Sequence, residues 1–289
     1  MAIDSSHKAK YISHMSTPAL LPSTQYLQRP EGRIAYDVAG SGPLVILIPG
    51  MGDLRSTYRS LAARLRGSGY RVACTDLRGH GDSDAGFDRY GDPETAGDVA
   101  ALIDELGEPA VLVGNSLGAG AAVLVAARAP ARVRGLVLVG PFVRDGNPGW
   151  LARLGMRVAM ARPWAARVWR WYLPTLYAGN KPQDLDAHLD DIASSLARPG
   201  YARALHRTIR QTTHAPAEAA LPEVAAPVLV VMGELDPDWP DPAAEARWIT
   251  DAVAGELRMV ADAGHYPHSQ QPQVTGDAVL EFLAGIGRA

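Results

Sequence analysis

The sequence predicts an α/β protein built on one large, mostly parallel β-sheet. Short apolar runs recur along the chain, as in residues 44–49 (LVILIP) and 227–233 (PVLVVMG). Such runs are typical of parallel strands, because helices cover both faces of a parallel sheet. Helix-length segments with apolar residues at helical spacing separate the runs, which is the pattern of βαβ units. With 289 residues, 47% of them hydrophobic, the chain can bury one large core.

The predicted elements follow in regular alternation. In residues 33–38, apolar side chains alternate with other residues, which predicts an antiparallel strand at the edge of the sheet. The apolar runs predict parallel strands at residues 44–49, 71–77, 110–114, 133–140, 227–233 and 257–260. Helical spacing predicts connecting helices around residues 58–65, 99–106 and 279–283.

This alternation stops after Phe142 and resumes at Pro227, and the residues between have helical spacing. An insertion between two strands explains the interruption, since the last strands still need the first sheet to bury them. We therefore predict a core of residues 15–141 and 223–289, with residues 142–222 as an inserted helical cap. Residues 1–14 are polar and patternless and precede a second Met, so we expect a cloning tag or disorder there.

Composition excludes several classes of function. The net charge is −3 and the pI is near 6.2, which gives no electrostatic reason to bind nucleic acid. The single cysteine, Cys74, excludes an intrachain disulfide and a multi-cysteine metal site, and we expect it to be buried in a strand. Neither a membrane-length apolar run nor a secretory signal is visible, so we expect a cytoplasmic protein without a membrane partner.

A candidate nucleophile lies in Gly114-Asn115-Ser116-Leu117-Gly118, which follows a predicted strand and precedes an alanine-rich helix. A serine on so tight a strand-to-helix turn has its hydroxyl exposed beside a helix N-terminus. The hydroxyl needs a base, and the base needs a carboxylate to fix its tautomer. The motif therefore predicts that a histidine and an acid complete the site.

His265 and Asp236 fit these two roles. Each follows a predicted strand, so both side chains should lie at the same edge of the sheet as Ser116. The chain order is Ser, Asp, His, which is one of the orders that serine hydrolases use. Glu234, Asp238 and Asp145 also follow strands and remain competing acids.

The turn after the strand at residues 44–49 is the second candidate element. Its Pro49-Gly50-Met51-Gly52 segment can expose amides, and Leu117 directly follows the candidate nucleophile. We therefore expect the N–H groups of Met51 and Leu117 to hold an oxyanion. A rival interpretation is a dinucleotide site formed by Gly50, Gly52 and Asp76, but Arg55 occupies the third glycine position of that motif. No carboxylate cluster accompanies His265 and His268, so we expect no metal and no other cofactor.

Taken together, these motifs resemble the α/β-hydrolase superfamily over about residues 24–287. The segment Asp76-Leu77-Arg78-Gly79-His80-Gly81-Asp82-Ser83 is similar to the superfamily's D-x-R-G-x-G-x-S loop, and Gly264-His265 resembles its histidine loop. The resemblance implies an eight-stranded, mostly parallel sheet flanked by helices, with the cap inserted. It also implies that His80 is structural.

The resemblance favours a serine hydrolase acting on a carboxylic ester or lactone. Carbon–carbon bond (diketone) hydrolases and cofactor-free haloperoxidases or perhydrolases are alternatives, as is a binding protein that uses the same pocket as a receptor. The cap is rich in Trp and Met, so we expect a small substrate with a hydrophobic acyl or ring portion. We also expect a monomer or homodimer. The expected substrate-binding residues are Gly50, Trp150, Met160, Trp169, Trp171 and Tyr266.

Overall fold

The protein is described by a computed structural model that covers residues 23–146 and 164–287. Eight strands form one sheet in the order β1-β2-β4-β3-β5-β6-β7-β8. The strands are β1 (Gln25–Arg29), β2 (Gly32–Ala39), β3 (Leu44–Ile48), β4 (Arg71–Thr75), β5 (Ala110–Ser116), β6 (Val133–Pro141), β7 (Val228–Gly233) and β8 (Glu256–Val260). All neighbouring pairs from β4 to β8 are parallel, so the predicted fold class is confirmed.

The first two strands differ from the prediction. The strand predicted at residues 33–38 is β2 and is antiparallel, but it lies one position inside the sheet. The edge strand is β1, which pairs Gln25 with Tyr36 and Arg29 with Gly32. In β1 only Leu27 is buried, because an edge strand needs little apolar surface. The apolar pattern on which the other predictions depend is therefore absent there.

Ten α-helices complete the described chain. They are α1 (Arg59–Gly67), α2 (Asp92–Leu106), α3 (Leu117–Arg128), α4 (Ala165–Tyr172), α5 (Leu185–Ala197), α6 (Tyr201–Gln211), α7 (Ala215–Ala220), α8 (Pro242–Ala252), α9 (Pro267–Gln270) and α10 (Pro272–Ile286). Helices α1 and α10 bury their apolar faces on one side of the sheet, and α2, α3 and α8 on the other. Cys74 is buried in β4, as expected.

Helices α4 to α7, here called the inserted helices, lie in the chain between β6 and β7. Their apolar side chains form a third cluster, in which Trp169, Leu176 and Leu205 are joined by Tyr266 from the sheet edge. This cluster lies over the C-terminal ends of the strands, where an open α/β sheet holds its ligands. Residues 1–22 and 147–163 lie outside the described residues. Within the described ranges, no helix is both long and apolar enough to span a membrane.

Candidate active site

Ser116 occupies a strained turn between β5 and α3. Its backbone has φ 55° and ψ −121°, a left-handed conformation that is rare for a residue with a side chain. Two glycines make the turn possible. A Cβ on Gly114 would lie 2.3 Å from the carbonyl oxygen of Gly118, and a Cβ on Gly118 would lie 2.4 Å from that of Ile48. The G-x-S-x-G pattern thus has a steric origin, and the turn leaves Ser116 partly exposed.

His265 and Asp236 come together at the same edge of the sheet. The imidazole Nδ1 lies 2.8 Å from the Asp236 Oδ2, and both side chains are almost completely buried. His265 and Ser116 line the same cavity. The loop that carries the histidine is also tightly packed, since a Cβ on Gly264 would lie 2.3 Å from the carbonyl oxygen of Leu176. The three residues predicted from separate motifs therefore meet at one site.

The competing acids differ in their positions. Glu234 is exposed. Asp145 accepts hydrogen bonds from the Thr213 hydroxyl (2.6 Å) and the His214 N–H (2.8 Å), so its carboxylate faces the segment before α7. Asp238 is different, because its Oδ2 lies 3.4 Å from the His265 Nδ1. His265 therefore faces two carboxylates, with Asp236 the nearer.

These two carboxylates set the proton affinity of the imidazole. Burial disfavours the imidazolium, but the negative charges of Asp236 and Asp238 outweigh burial and raise the pKa of His265 to about 9. The pKa of Asp238 is shifted in the same direction. Its burial and the nearby Asp236 raise the pKa of the Asp238 carboxyl, although His265 and a hydrogen bond from Tyr172 act against that rise.

The residues predicted to hold an oxyanion lie next to Ser116. Leu117 is the first residue of α3, so its N–H has no acceptor within the helix. Met51 lines the same cavity as Leu117 and Ser116. Gly50 packs on the turn that carries Ser116, here called the elbow, where a Cβ would lie 2.9 Å from the Ser116 Cβ. A side chain at position 50 would push the turn away from the serine.

The cavity beside Ser116 measures about 170 Å³. Trp169 and Tyr266, both predicted to contact substrate, line it and are buried. Trp171 does not line the cavity, and its side chain is 76% exposed. It is two residues from Trp169 on the same helix, and residues two apart on a helix point in nearly opposite directions. Its assignment to the site was wrong. Trp150 and Met160 lie outside the described residues. The lining residues are Met51, Ser116, Leu117, Phe142, Trp169, Tyr172, Leu176, Ile209, His214, Asp238, His265 and Tyr266.

Comparison with known proteins agrees with this architecture. Residues 45–278 match the sequence model of the alpha/beta hydrolase family. The chain belongs to this family. It is 33% identical to the pimeloyl-[acyl-carrier protein] methyl ester esterase of Neisseria meningitidis, over 84% of this chain and 77% of that protein. It is 30% identical to the 2-(acetamidomethylene)succinate hydrolase of Mesorhizobium japonicum, over 87% of this chain and 92% of the relative.

A thermophilic esterase from Thermogutta terrifontis has the same fold, with a TM-score of 0.74 and 23% identity. The match covers 91% of this chain and 99% of that one. These matches identify the chain as an enzyme of the alpha/beta hydrolase class.

In this alpha/beta hydrolase, two side chains hold the turn that carries Met51. The Gly52 N–H donates to the His80 Nε2 (2.9 Å), and His80 in turn donates from Nδ1 to the Arg78 carbonyl (2.7 Å). Burial lowers the pKa of His80, which keeps the ring neutral so that Nε2 can accept. On the other side, the Trp169 Nε1–H donates to the Gly52 carbonyl at 3.0 Å. The His80 side chain therefore fixes this turn, which is the structural role expected for it.

Two functional contacts escaped the sequence analysis. Asn115 is completely buried, and its Nδ2 donates to the carbonyls of Val139 (2.9 Å) and His265 (3.1 Å). It thereby joins the elbow to the histidine loop, and its place inside the G-x-S-x-G motif was the one available signal. The second contact is the hydrogen bond from the Tyr172 hydroxyl to Asp238 Oδ1 (2.6 Å), for which no local motif exists.

A buried ion pair also joins the inserted helices to the turn after β3. His188 of α5 places its Nε2 2.7 Å from the Asp53 Oδ1, and its Nδ1 lies 3.3 Å from the Ser56 hydroxyl. Burial disfavours charge on both groups. Their mutual attraction nevertheless raises the pKa of His188 and lowers the pKa of Asp53.

The rival interpretations gain no support from the geometry. Asp76, the candidate ribose acid, is buried and accepts hydrogen bonds from the backbone N–H groups of Arg55 (2.8 Å) and Asp82 (3.0 Å). Its carboxylate is therefore occupied within the protein. Among the described residues, the group with spacing suitable for a metal ion is Asp236, Asp238 and His265. The hydrogen bond between His265 and Asp236 accounts for that spacing without an ion.

Proposed function

We propose that this alpha/beta hydrolase cleaves a carboxylic ester or lactone through an acyl-enzyme on Ser116. One observation carries the proposal. The strained Ser116 shares a cavity with His265, whose Nδ1 lies 2.8 Å from a buried carboxylate of Asp236. This is the arrangement in which a hydroxyl, an imidazole and an acid perform nucleophilic acyl transfer.

The chemistry follows from the roles of these groups. The His265 Nε2 accepts the Ser116 hydroxyl proton as the oxygen attacks the ester carbonyl, and Asp236 stabilises the imidazolium through Nδ1–H. The N–H groups of Met51 and Leu117 hold the oxyanion of the tetrahedral intermediate, each contributing about 3 kcal/mol. The imidazolium then protonates the departing alkoxide, and the alcohol leaves. Water attacks the acyl-enzyme with His265 as base, which releases the acid and restores Ser116.

The oxyanion turn is rigid enough for this role. Preorganised donors stabilise a transition state because they need not reorient as charge develops. Here the N–H of Gly52 is tied to His80 and its carbonyl is tied to Trp169, so the residue directly after Met51 is held at both polar groups.

The cavity limits the substrate. Its walls are mainly aromatic and aliphatic, and its volume of about 170 Å³ is below the ~300–1,000 Å³ of pockets for drug-sized ligands. A small hydrophobic acyl or ring portion fits such a space. A curated relative whose name identifies it as a methyl ester esterase supports an ester as the reacting group. We also propose that residues 142–222 act as a cap, since Trp169, Tyr172 and Ile209 wall the cavity over Ser116.

A substrate panel with two serine variants tests this function. The panel contains p-nitrophenyl esters of graded acyl length, lactones and a vinylogous diketone. We expect ester or lactone hydrolysis by the wild type and by Ser41→Ala, whose serine is exposed in the loop after β2, and none by Ser116→Ala. Cleavage of the diketone alone would favour the carbon–carbon hydrolase alternative. Peroxide-dependent halogenation without ester hydrolysis would favour the haloperoxidase.

A further inference from the structure

The loop after β7 directs two aspartates, not one, at the catalytic imidazole. Asp236 Oδ2 lies 2.8 Å from the His265 Nδ1, and Asp238 Oδ2 lies 3.4 Å from the same atom. The Asp238 N–H also donates to Asp236 Oδ1 at 3.1 Å, which fixes the spacing between the two residues. A serine triad needs one acid at Nδ1. The second carboxylate therefore requires its own explanation.

The other oxygen of Asp238 is bound by an inserted helix. The hydroxyl of Tyr172, the last residue of α4, donates to Asp238 Oδ1 at 2.6 Å. Oδ1 thus faces the inserted helices while Oδ2 faces the imidazole. The Asp238 side chain is 15% exposed, and both Asp238 and Tyr172 line the catalytic cavity. Substrate in that cavity would lie against this hydrogen bond.

We propose that Asp238 is a positioning residue, which Tyr172 holds beside His265 so that the inserted helices control the charge next to the catalytic base. This inference rests on the proposed function, because it takes His265 to be that base. With both carboxylates ionised, two negative charges stabilise the imidazolium. The imidazolium is then the favoured donor to the leaving group, while the neutral base that Ser116 needs becomes scarce near neutral pH.

The other groups near the imidazole leave Asp238 as the adjustable one. Asp236 is almost completely buried and lies at the shorter distance, so the fold gives its side chain little freedom to move. Asp53, in the turn after β3, adds a further negative charge, but it is paired with His188. The aromatic rings of Phe142 and Tyr266 pack edge-on against His265 and carry no charge, and His214 and Tyr172 complete the surrounding polar groups.

An NMR titration of the His265 ring tests the proposal without relying on activity. The chain has eight histidines, so the signal is assigned by its loss in a His265→Gln variant. All measurements use ¹⁵N-histidine-labelled protein that carries Ser116→Ala. We expect Asp238→Asn to lower the pKa of His265 by about 1–3 units, the size expected for removing one charge at this range. Asp145→Asn is the matched control, because Asp145 binds Thr213 and His214 and should leave that pKa unchanged.

Tyr172→Phe tests the link to the inserted helices. If Tyr172 holds Asp238 in place, the shift caused by Asp238→Asn should be smaller when Tyr172→Phe is already present. An Asp238→Ala variant repeats the measurement should the Asn variant fail to fold. An unchanged His265 pKa in folded Asp238 variants would overturn the proposal, and equal shifts with and without Tyr172→Phe would overturn the role of Tyr172.

The pH profile of catalysis separates this inference from the proposed function. In otherwise wild-type enzyme, kcat/KM should rise with pH through an apparent pKa near 9, that of the His265 imidazole. In Asp238→Asn the rise should move to lower pH. If the wild type hydrolyses nothing on the panel, the proposed function fails, and the NMR titration still decides the role of Asp238.

Discussion

The floor and the wall of the cavity beside Ser116 are built by different means. The floor consists of loops at the sheet edge, where Ser116 and His265 are placed by backbone strain and by glycines in steric contact with neighbouring chain. The wall consists of the inserted helices, whose contacts with the floor include side-chain hydrogen bonds from Trp169 and Tyr172 and an ion pair from His188. Under the proposed function, the floor performs the chemistry while the wall adjusts its geometry and charge.

Replacing the acid of the floor should have the largest effect. Asp236→Asn stabilises the wrong tautomer of His265, so kcat/KM should fall on the order of 10⁴-fold while the protein stays folded. Steady-state kinetics with a p-nitrophenyl ester measures the loss. Asp145→Asn serves as the control and should retain near-wild-type activity. Near-wild-type activity in Asp236→Asn, with a large loss in Asp145→Asn, would mean that Asp145 in the loop after β6 is the acid that acts on His265.

Breaking the ion pair between His188 and Asp53 should mainly lower the free energy of unfolding, with less effect on the rate of catalysis. His188→Ala leaves Asp53 charged and buried, which typically costs about 3–5 kcal/mol. Chemical denaturation of His188→Ala, Asp53→Asn and the double variant should show losses that are not additive, because the two groups share one interaction. Additive losses would mean that the pair contributes nothing as a pair.

The pH dependence of that loss has a definite sign. The folded pKa of His188 is raised, so its contribution is complete below the unfolded pKa and is lost as pH rises through the folded value. The folded pKa of Asp53 is lowered, so its contribution is present above the unfolded pKa and is lost as pH falls through the folded value. The difference in unfolding free energy between wild type and His188→Ala should therefore be greatest between about pH 4 and 6.5.

A smaller effect should separate the hydrogen bond of Trp169 from its bulk. Trp169→Phe keeps an aromatic ring in the wall but removes the Nε1–H that the Gly52 carbonyl accepts. A hydrogen bond contributes a net ~0.5–1.5 kcal/mol, so kcat should fall about 2- to 10-fold with little change in KM. Trp171→Phe, on the exposed side of the same helix, is the matched control. A rise in KM with unchanged kcat in Trp169→Phe would mean that Trp169 only contacts the substrate.

The smallest effect concerns the length of the acyl chain that the cavity accepts. Each buried methylene should improve kcat/KM by up to about 0.8 kcal/mol, roughly fourfold, until the cavity is full. Ile209→Ala should move that limit to a longer acyl chain, because Ile209 lines the cavity. Arg203→Ala, on the exposed face of the same helix, should not. An acyl-length profile that is the same in both variants would mean that the inserted helices are only structural.

Prediction from sequence succeeded where a local pattern has a local cause. The apolar runs predicted six parallel strands, and the G-x-S-x-G elbow could be recognised because sterics allow only glycine at positions 114 and 118. Contacts across 60 or more residues leave no such pattern. The bond from Tyr172 to Asp238 and the pair of His188 with Asp53 depend on how the inserted helices pack on the sheet. Trp171 was misassigned for the same reason, since composition shows that a helix is rich in Trp but not which side faces the cavity.

The central claim is that Ser116 is the nucleophile of the floor, and covalent labelling tests it most directly. The wild type is treated with an alkyl fluorophosphonate, and the intact mass and the labelled peptide are measured by mass spectrometry. We predict one label per chain, on Ser116, and none on Ser116→Ala. Labelling of the Ser116→Ala variant at the same stoichiometry, or a label on another residue of the wild type, would contradict the claim.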